Sequence, residues 1–116
     1  MKSTQDILNS HLTQFAKGDL EGILSDYLPE AVMFTPDGPL RGPEAMRPLF
    51  RGLIAEFSGP DAAFHLDYQA VDGEHAYILW HGDSAVQVYD NATDTFVVRD
   101  GRIVAQSFTA QVRARL

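Results

Sequence analysis

The sequence predicts an α+β fold in which N-terminal helices pack on one face of a curved antiparallel sheet. Three observations predict it. Apolar residues recur at helical spacing over roughly the first half of the chain. The second half reads as strands punctuated by Asp-Gly turn signals at Asp72-Gly73 and Asp100-Gly101. Helices first and strands afterwards place this chain among α+β domains, and 116 residues fit one domain, 1–116.

Ser3 or Thr4 caps the first helix, with Asp6 favourable in its first turn. Ile7, Leu8, Leu12 and Phe15 make its apolar stripe, and His11 lies on that stripe. Gly18 ends it and Asp19 caps the next. Leu20, Ile23, Leu24 and Tyr27 form the buried side of the second helix, which Pro29 stops. "AVMFT", residues 31–35, is a short strand, and "PDGP" turns the chain. Pro43 opens a third helix, where its missing N–H does no harm. Pro48 inside that helix should kink it or delay its start.

Residues 63–71 and 75–82 form one hairpin, and residues 85–98 and 102–112 another. "AYILWHG" is apolar on both faces, so both faces are covered. Alternation puts Val86, Val88, Asp94, Phe96 and Val98 on one side of their strand. Val104, Gln106 and Phe108 join the same interior from the last strand. Tyr77, Leu79, Tyr89 and Val97 are left on the outer face, which suggests a homodimer interface there.

Composition narrows function by exclusion. The net charge of −7 argues against nucleic acid or an anionic membrane as partner. Without cysteine there is no disulfide, thiolate nucleophile or zinc–thiolate site. The start has no apolar run after Lys2, so a cytoplasmic protein is expected. His65, His75 and His81 fit no metal-ligand spacing, and no metal or cofactor is expected. There is no phosphate loop and no nucleophile elbow. Arg41, Arg47 and Arg51 read as a solvated helix flank, and Asp37 as a turn residue.

Two stretches carry a family resemblance. "FAKGDLEGILSDYLPEAVMFTPDGPLRGPEAMRPLF" and "DTFVVRDGRIVAQSF" are similar, in order and spacing, to the opening and closing of the nuclear transport factor 2-like superfamily. Its branches include ketosteroid isomerases and SnoaL-like polyketide cyclases. The resemblance implies a cone-shaped sheet wrapped around the helices and enclosing a pocket. It places His11 where the isomerases carry a tyrosine donor, and it matches Tyr27 to their second tyrosine. It puts Thr35, before Pro36, where they carry the aspartate base. A threonine cannot replace a carboxylate base near neutral pH, so steroid isomerase activity is not expected.

The resemblance matches Asp94 to the isomerases' oxyanion-stabilising aspartate, which stays protonated in an apolar site. In the cyclase branch a late-strand aspartate is a base. Alternation and resemblance agree on an interior Asp94; the competing reading is a bulge near Ala92-Thr93 that sends it to solvent. His11 then either faces Asp94 as a proton-transfer partner or is a core histidine bonded to a backbone carbonyl.

The expected partner is a small apolar or aromatic organic molecule. Asp94 and His11 are the candidate catalytic pair. Phe15, Tyr27, Met33, Thr35, Phe57, Trp80, Phe96, Gln106 and Phe108 are the expected ligand contacts. The expected function is cofactor-independent isomerisation, cyclisation or dehydration by proton transfer; the alternative is a non-catalytic ligand-binding or dimerisation module.

Overall fold

A computed structural model describes residues 1–115 and gives the order α1 (Thr4–Lys17), α2 (Leu20–Ser25), β1 (Tyr27–Thr35), β2 (Gly38–Arg41), α3 (Pro43–Phe57), β3 (Ala63–Asp72), β4 (His75–Asp83), β5 (Gln87–Arg99) and β6 (Arg102–Ala114). The strands form a curved, unclosed six-stranded sheet in the order β2-β1-β6-β5-β4-β3. All neighbours are antiparallel except β1 and β6, whose parallel pairing the sequence reading did not foresee.

The helix ends follow local chemistry. The Ser3 hydroxyl accepts from the Asp6 N–H at 3.0 Å, and the Ser3 N–H donates to the Asp6 carboxylate at 3.1 Å. This reciprocal box satisfies two backbone donors that the helix cannot. Gly18 closes α1 in the left-handed region, at φ 68°. Asp19 accepts from the Gly22 N–H at 2.9 Å and starts α2.

Tyr27 does not belong to α2; it opens β1, which begins four residues before the expected strand. The reason lies across the sheet, where Tyr27 pairs with Ile103 and the Ile103 N–H donates to Asp26 O. Pro29 sits where the β1–β6 register shifts, between Tyr27 and Val32, so its missing N–H costs no ladder bond there. "PDGP" also holds more than a turn. Thr35 pairs with Gly38, only Pro36 and Asp37 lie between them, and the chain runs on as the edge strand β2. Pro48 neither ends α3 nor delays its start at Pro43.

Both hairpins use positive φ. Gly73 has φ 60°, while Asp100 and Gly101 have 55° and 74°. Two successive positive values are the type I′ geometry that matches strand twist. The Asp72-Gly73 signal falls one residue early, since Asp72 pairs with His75 and the loop is Gly73-Glu74.

Two register shifts reassign side chains. The first lies between Asp90 and Thr93, where Asn91 takes φ 47°. It falls upstream of Asp94 and so leaves Asp94 inside with Phe96 and Val98. Val86 (60% exposed) and Val88 lose their place on that face, and Tyr89 (5% exposed) turns in instead of out. The second shift pairs Val97 with Ala105 but Val98 with Ile103, so Val104 is the extra residue. Ile103 and Gln106 therefore both face the core, and Val104 does not sit in their row.

The core lies between the helices and the concave sheet face, built on Ile7, Ile23, Tyr27, Met33, Met46 and Ile103. Among the described residues no helix is long and apolar enough to cross a membrane.

Candidate functional site

One hollow lies within this core. Its open side is wholly apolar, bordered by Leu12 and Phe15 of α1, Leu49, Leu53 and Phe57 of α3, Phe64 of β3 and Phe108 of β6. Its buried end is made by Met33, Phe50, Ile78, Trp80 and Phe96 together with three polar residues, His11, Asp94 and Gln106. Its cavity volume is about 60 Å³. One buried water needs roughly 10–15 Å³, so there is room for more than a water.

Asp94 is 8% exposed and has a donor on each oxygen. The Trp80 indole N–H donates to Oδ2 at 2.9 Å, and the Gln106 amide donates to Oδ1 at 2.9 Å. Gln106 in turn accepts from the Tyr27 hydroxyl. Burial raises the Asp94 carboxyl to about 6, and the two hydrogen bonds restrain the rise. The side chain is thus mostly ionised at neutral pH yet within easy reach of protonation.

His11 is 7% exposed, and burial lowers its imidazole to about 4. It packs edge-on against the rings of Tyr27, Phe50 and Phe96, at 5.9, 5.7 and 5.3 Å. Its Nδ1 has no hydrogen-bond partner among the described residues. The reading of His11 as a proton-transfer partner finds no bond to Asp94: each group is shifted by burial, and Asp94 takes its bonds from Trp80 and Gln106. The backbone-carbonyl reading of His11 finds no bond at Nδ1 either.

Of the residues expected at the site, Asp94, His11, Phe15, Met33, Phe57, Trp80, Phe96, Gln106 and Phe108 border the hollow. Tyr27 and Thr35 do not. Tyr27 lies behind Gln106, fully buried. Thr35 is spent on the β1–β2 turn, donating to Gly38 O at 2.8 Å and accepting from the Asp37 N–H at 3.1 Å. Leu12, Leu49, Phe50, Leu53, Phe64 and Ile78 complete the lining and were not assigned to the site from sequence. Helical spacing with Met46 and alternation with Trp80 would have placed Phe50 and Ile78 inside. No local signal singles out Phe64, whose position depends on β3 pairing with β4.

The SnoaL-like domain family model matches residues 8–106. No curated protein matches the sequence. Among solved structures, an NTF2-like protein of unknown function from Cytophaga hutchinsonii ATCC 33406 is 9% identical, with a TM-score of 0.78 over 96% of this chain and 92% of that one. An NTF2-like protein of unknown function from Mesorhizobium loti is 23% identical, with a TM-score of 0.75 over 93% and 90%. SalBIII, an epoxide hydrolase/cyclase-like enzyme with a role in pyran ring formation in the polyether salinomycin, is 14% identical, with a TM-score of 0.78 over 97% and 95%. At these identities the structures share the fold, and the family match covers most of the chain: it belongs to the SnoaL-like domain family of the NTF2-like superfamily.

Proposed function

We propose that the hollow binds a small neutral organic molecule and that Asp94 moves a proton on it without a cofactor. One observation carries this reading. A carboxyl group with its pKa near 6 stands at the buried end of an otherwise apolar hollow, held in place by two donors. Such a group can accept a proton near neutral pH and return it, which suits isomerisation, cyclisation or dehydration. No Lys or Arg borders the hollow, so an anionic ligand would lose its hydration there without compensation. SalBIII supports the reading only in that a cyclase-like enzyme stands on the same scaffold.

The test is hydrogen–deuterium exchange next to the carbonyl of a panel of neutral cyclic and aryl ketones in D2O, followed by NMR. At least one ketone should exchange faster with the protein than in buffer. Asp94→Asn should slow that exchange by about 100-fold or more. Binding, read by Trp80 fluorescence, without exchange would favour the rival reading of a non-catalytic binding module. Thr35 at the expected base position, spent on the turn, is the observation behind that rival. Neither binding nor exchange across the panel would remove the proposal.

We also propose that the outer sheet face seats a second copy. Phe34, Ser107, Thr95, Tyr77 and Ala70 form one row across it, and Thr109, Thr93, Leu79 and Tyr68 another. Neither row carries a charge, in a chain with a net charge of −7, and Phe34 and Tyr68 are more than half exposed. Sedimentation equilibrium should show a dimer. A single 12.8 kDa species at every concentration would contradict it. Tyr89, expected on this face, packs inside against Phe57 and Trp80.

A further inference from the structure

A line of hydrogen bonds with a fixed direction ends on Asp94. The Tyr27 hydroxyl donates to Oε1 of Gln106, and Nε2 of Gln106 donates to Oδ1 of Asp94. Tyr27 is 2% exposed and Gln106 4%, so no bulk water substitutes for either bond. An amide accepts at one end and donates at the other. Gln106 can serve an ionised Asp94 only with its nitrogen turned toward the carboxylate. With Oδ2 already facing the Trp80 N–H, a protonated Asp94 can give its O–H to Gln106 only if the amide is reversed. The Tyr27 hydrogen would then face an NH2 group and lose its acceptor, a costly state for a buried donor.

We propose that Tyr27 is a positioning residue: by holding the Gln106 amide one way round, it favours the ionised form of Asp94 from outside the hollow. This rests on Asp94 being the working acid–base group. Few other charges act on Asp94. Around the hollow, α1 presents His11, neutral at pH 7, β6 presents Gln106 and Phe108, and β4 presents Ile78 and Trp80. The elements α3 and β3 present only apolar side chains. Behind Gln106, burial together with the charges of Asp94 and Asp26 keeps the Tyr27 phenol protonated, so it stays a donor.

Trp80 is the only tryptophan, and its indole N–H is bonded to Asp94. One indole resonance in a 15N-labelled sample therefore reports the charge on Asp94 between pH 4 and 8. Its midpoint should lie near pH 6 in the wild-type protein. Tyr27→Phe should move it up by roughly half to one pH unit, a three- to tenfold change in the equilibrium. In a Gln106→Leu background the same substitution should move it no further. Site-specific 3-fluorotyrosine at position 27, a stronger donor of nearly the same shape, should move it down, and this arm decides the matter if Tyr27→Phe does not fold. A midpoint that ignores both changes at position 27, or that moves equally without Gln106, overturns the role of Tyr27 and leaves the acid–base reading of Asp94 standing. An indole resonance with no midpoint in this range overturns both.

Discussion

Asp94→Asn should raise the free energy of unfolding at pH 7 by up to about 3 kcal/mol and leave it nearly unchanged at pH 4. The sign follows from proton linkage. The carboxyl sits at 3.8 in its ordinary state and at about 6 in the fold. Between those values the native protein holds a proton that the unfolded chain has released, so stability falls as pH rises through the window. His11 runs the other way. Its ordinary value is 6.5 and its folded value about 4, so the unfolded chain takes up a proton that the buried imidazole refuses. Stability therefore falls as pH drops from 6.5 to 4, by about 3 kcal/mol again.

The two windows overlap, and in the wild-type protein the opposing slopes nearly cancel. Each single variant should unmask the other group. Asp94→Asn should lose stability on acidification, and His11→Leu should lose it as pH rises from 4 to 7. Asp26, raised by its own burial, and the lowered carboxylates Asp6, Glu21, Glu44 and Glu74 contribute a background common to all three proteins. Differences between urea titrations at pH 4, 5, 6 and 7 isolate the pair. Parallel curves for all three proteins would show that neither group changes its protonation on folding, against the burial shifts described.

Gly82→Ala should destabilise the protein by about 1–3 kcal/mol, which lowers the melting temperature by roughly 4–8 °C for each kcal/mol. Backbone angles are not the cause, since Gly82 is not among the glycines with positive φ. A Cβ there would stand 2.6 Å from the Ala63 carbonyl oxygen and 3.1 Å from a ring carbon of Phe57. The oxygen belongs to a paired strand and cannot swing aside, so β3 must part from β4 there, and the ring must give way as well. Phe57 borders the hollow and packs on Trp80 at 6.2 Å, so the emission of Trp80 should shift as well. Gly52→Ala in α3 is the control. Nothing lies within 4 Å of its added Cβ, and the loss of helix-interior glycine should stabilise by about 0.5–1 kcal/mol. A Gly82→Ala melt indistinguishable from wild type would contradict the packing described.

Much of the site was legible because its signals are short in range. Asp94, Phe96 and Val98 are three alternate positions of one strand, and Ala76, Ile78 and Trp80 three of another; a pleat turns such sets the same way without help from the rest of the chain. His11 fell on the apolar stripe of α1 by helical spacing alone. Tyr89, Val88 and Val104 were misplaced because a bulge is invisible to alternation. It is chosen by how two strands twist past one another, and it inverts every side chain on its far side. The bulge that could have expelled Asp94 does exist, but it falls before Thr93.

The sequence by itself determined the three helices, five of the six strands, the Gly18 and Asp19 caps, the two hairpins and the superfamily. Each depends on a few neighbouring residues and on backbone geometry. Only the tertiary structure decided that Tyr27 opens a strand, that Thr35 closes a turn, and that Asp94 is held by Trp80 and Gln106 instead of by His11. The first and the last depend on which segments meet across 12 to 79 residues of chain, whereas the Thr35 turn is closed by partners two and three residues away. A buried polar atom takes whichever partner the packing brings within reach, and no local pattern encodes that choice.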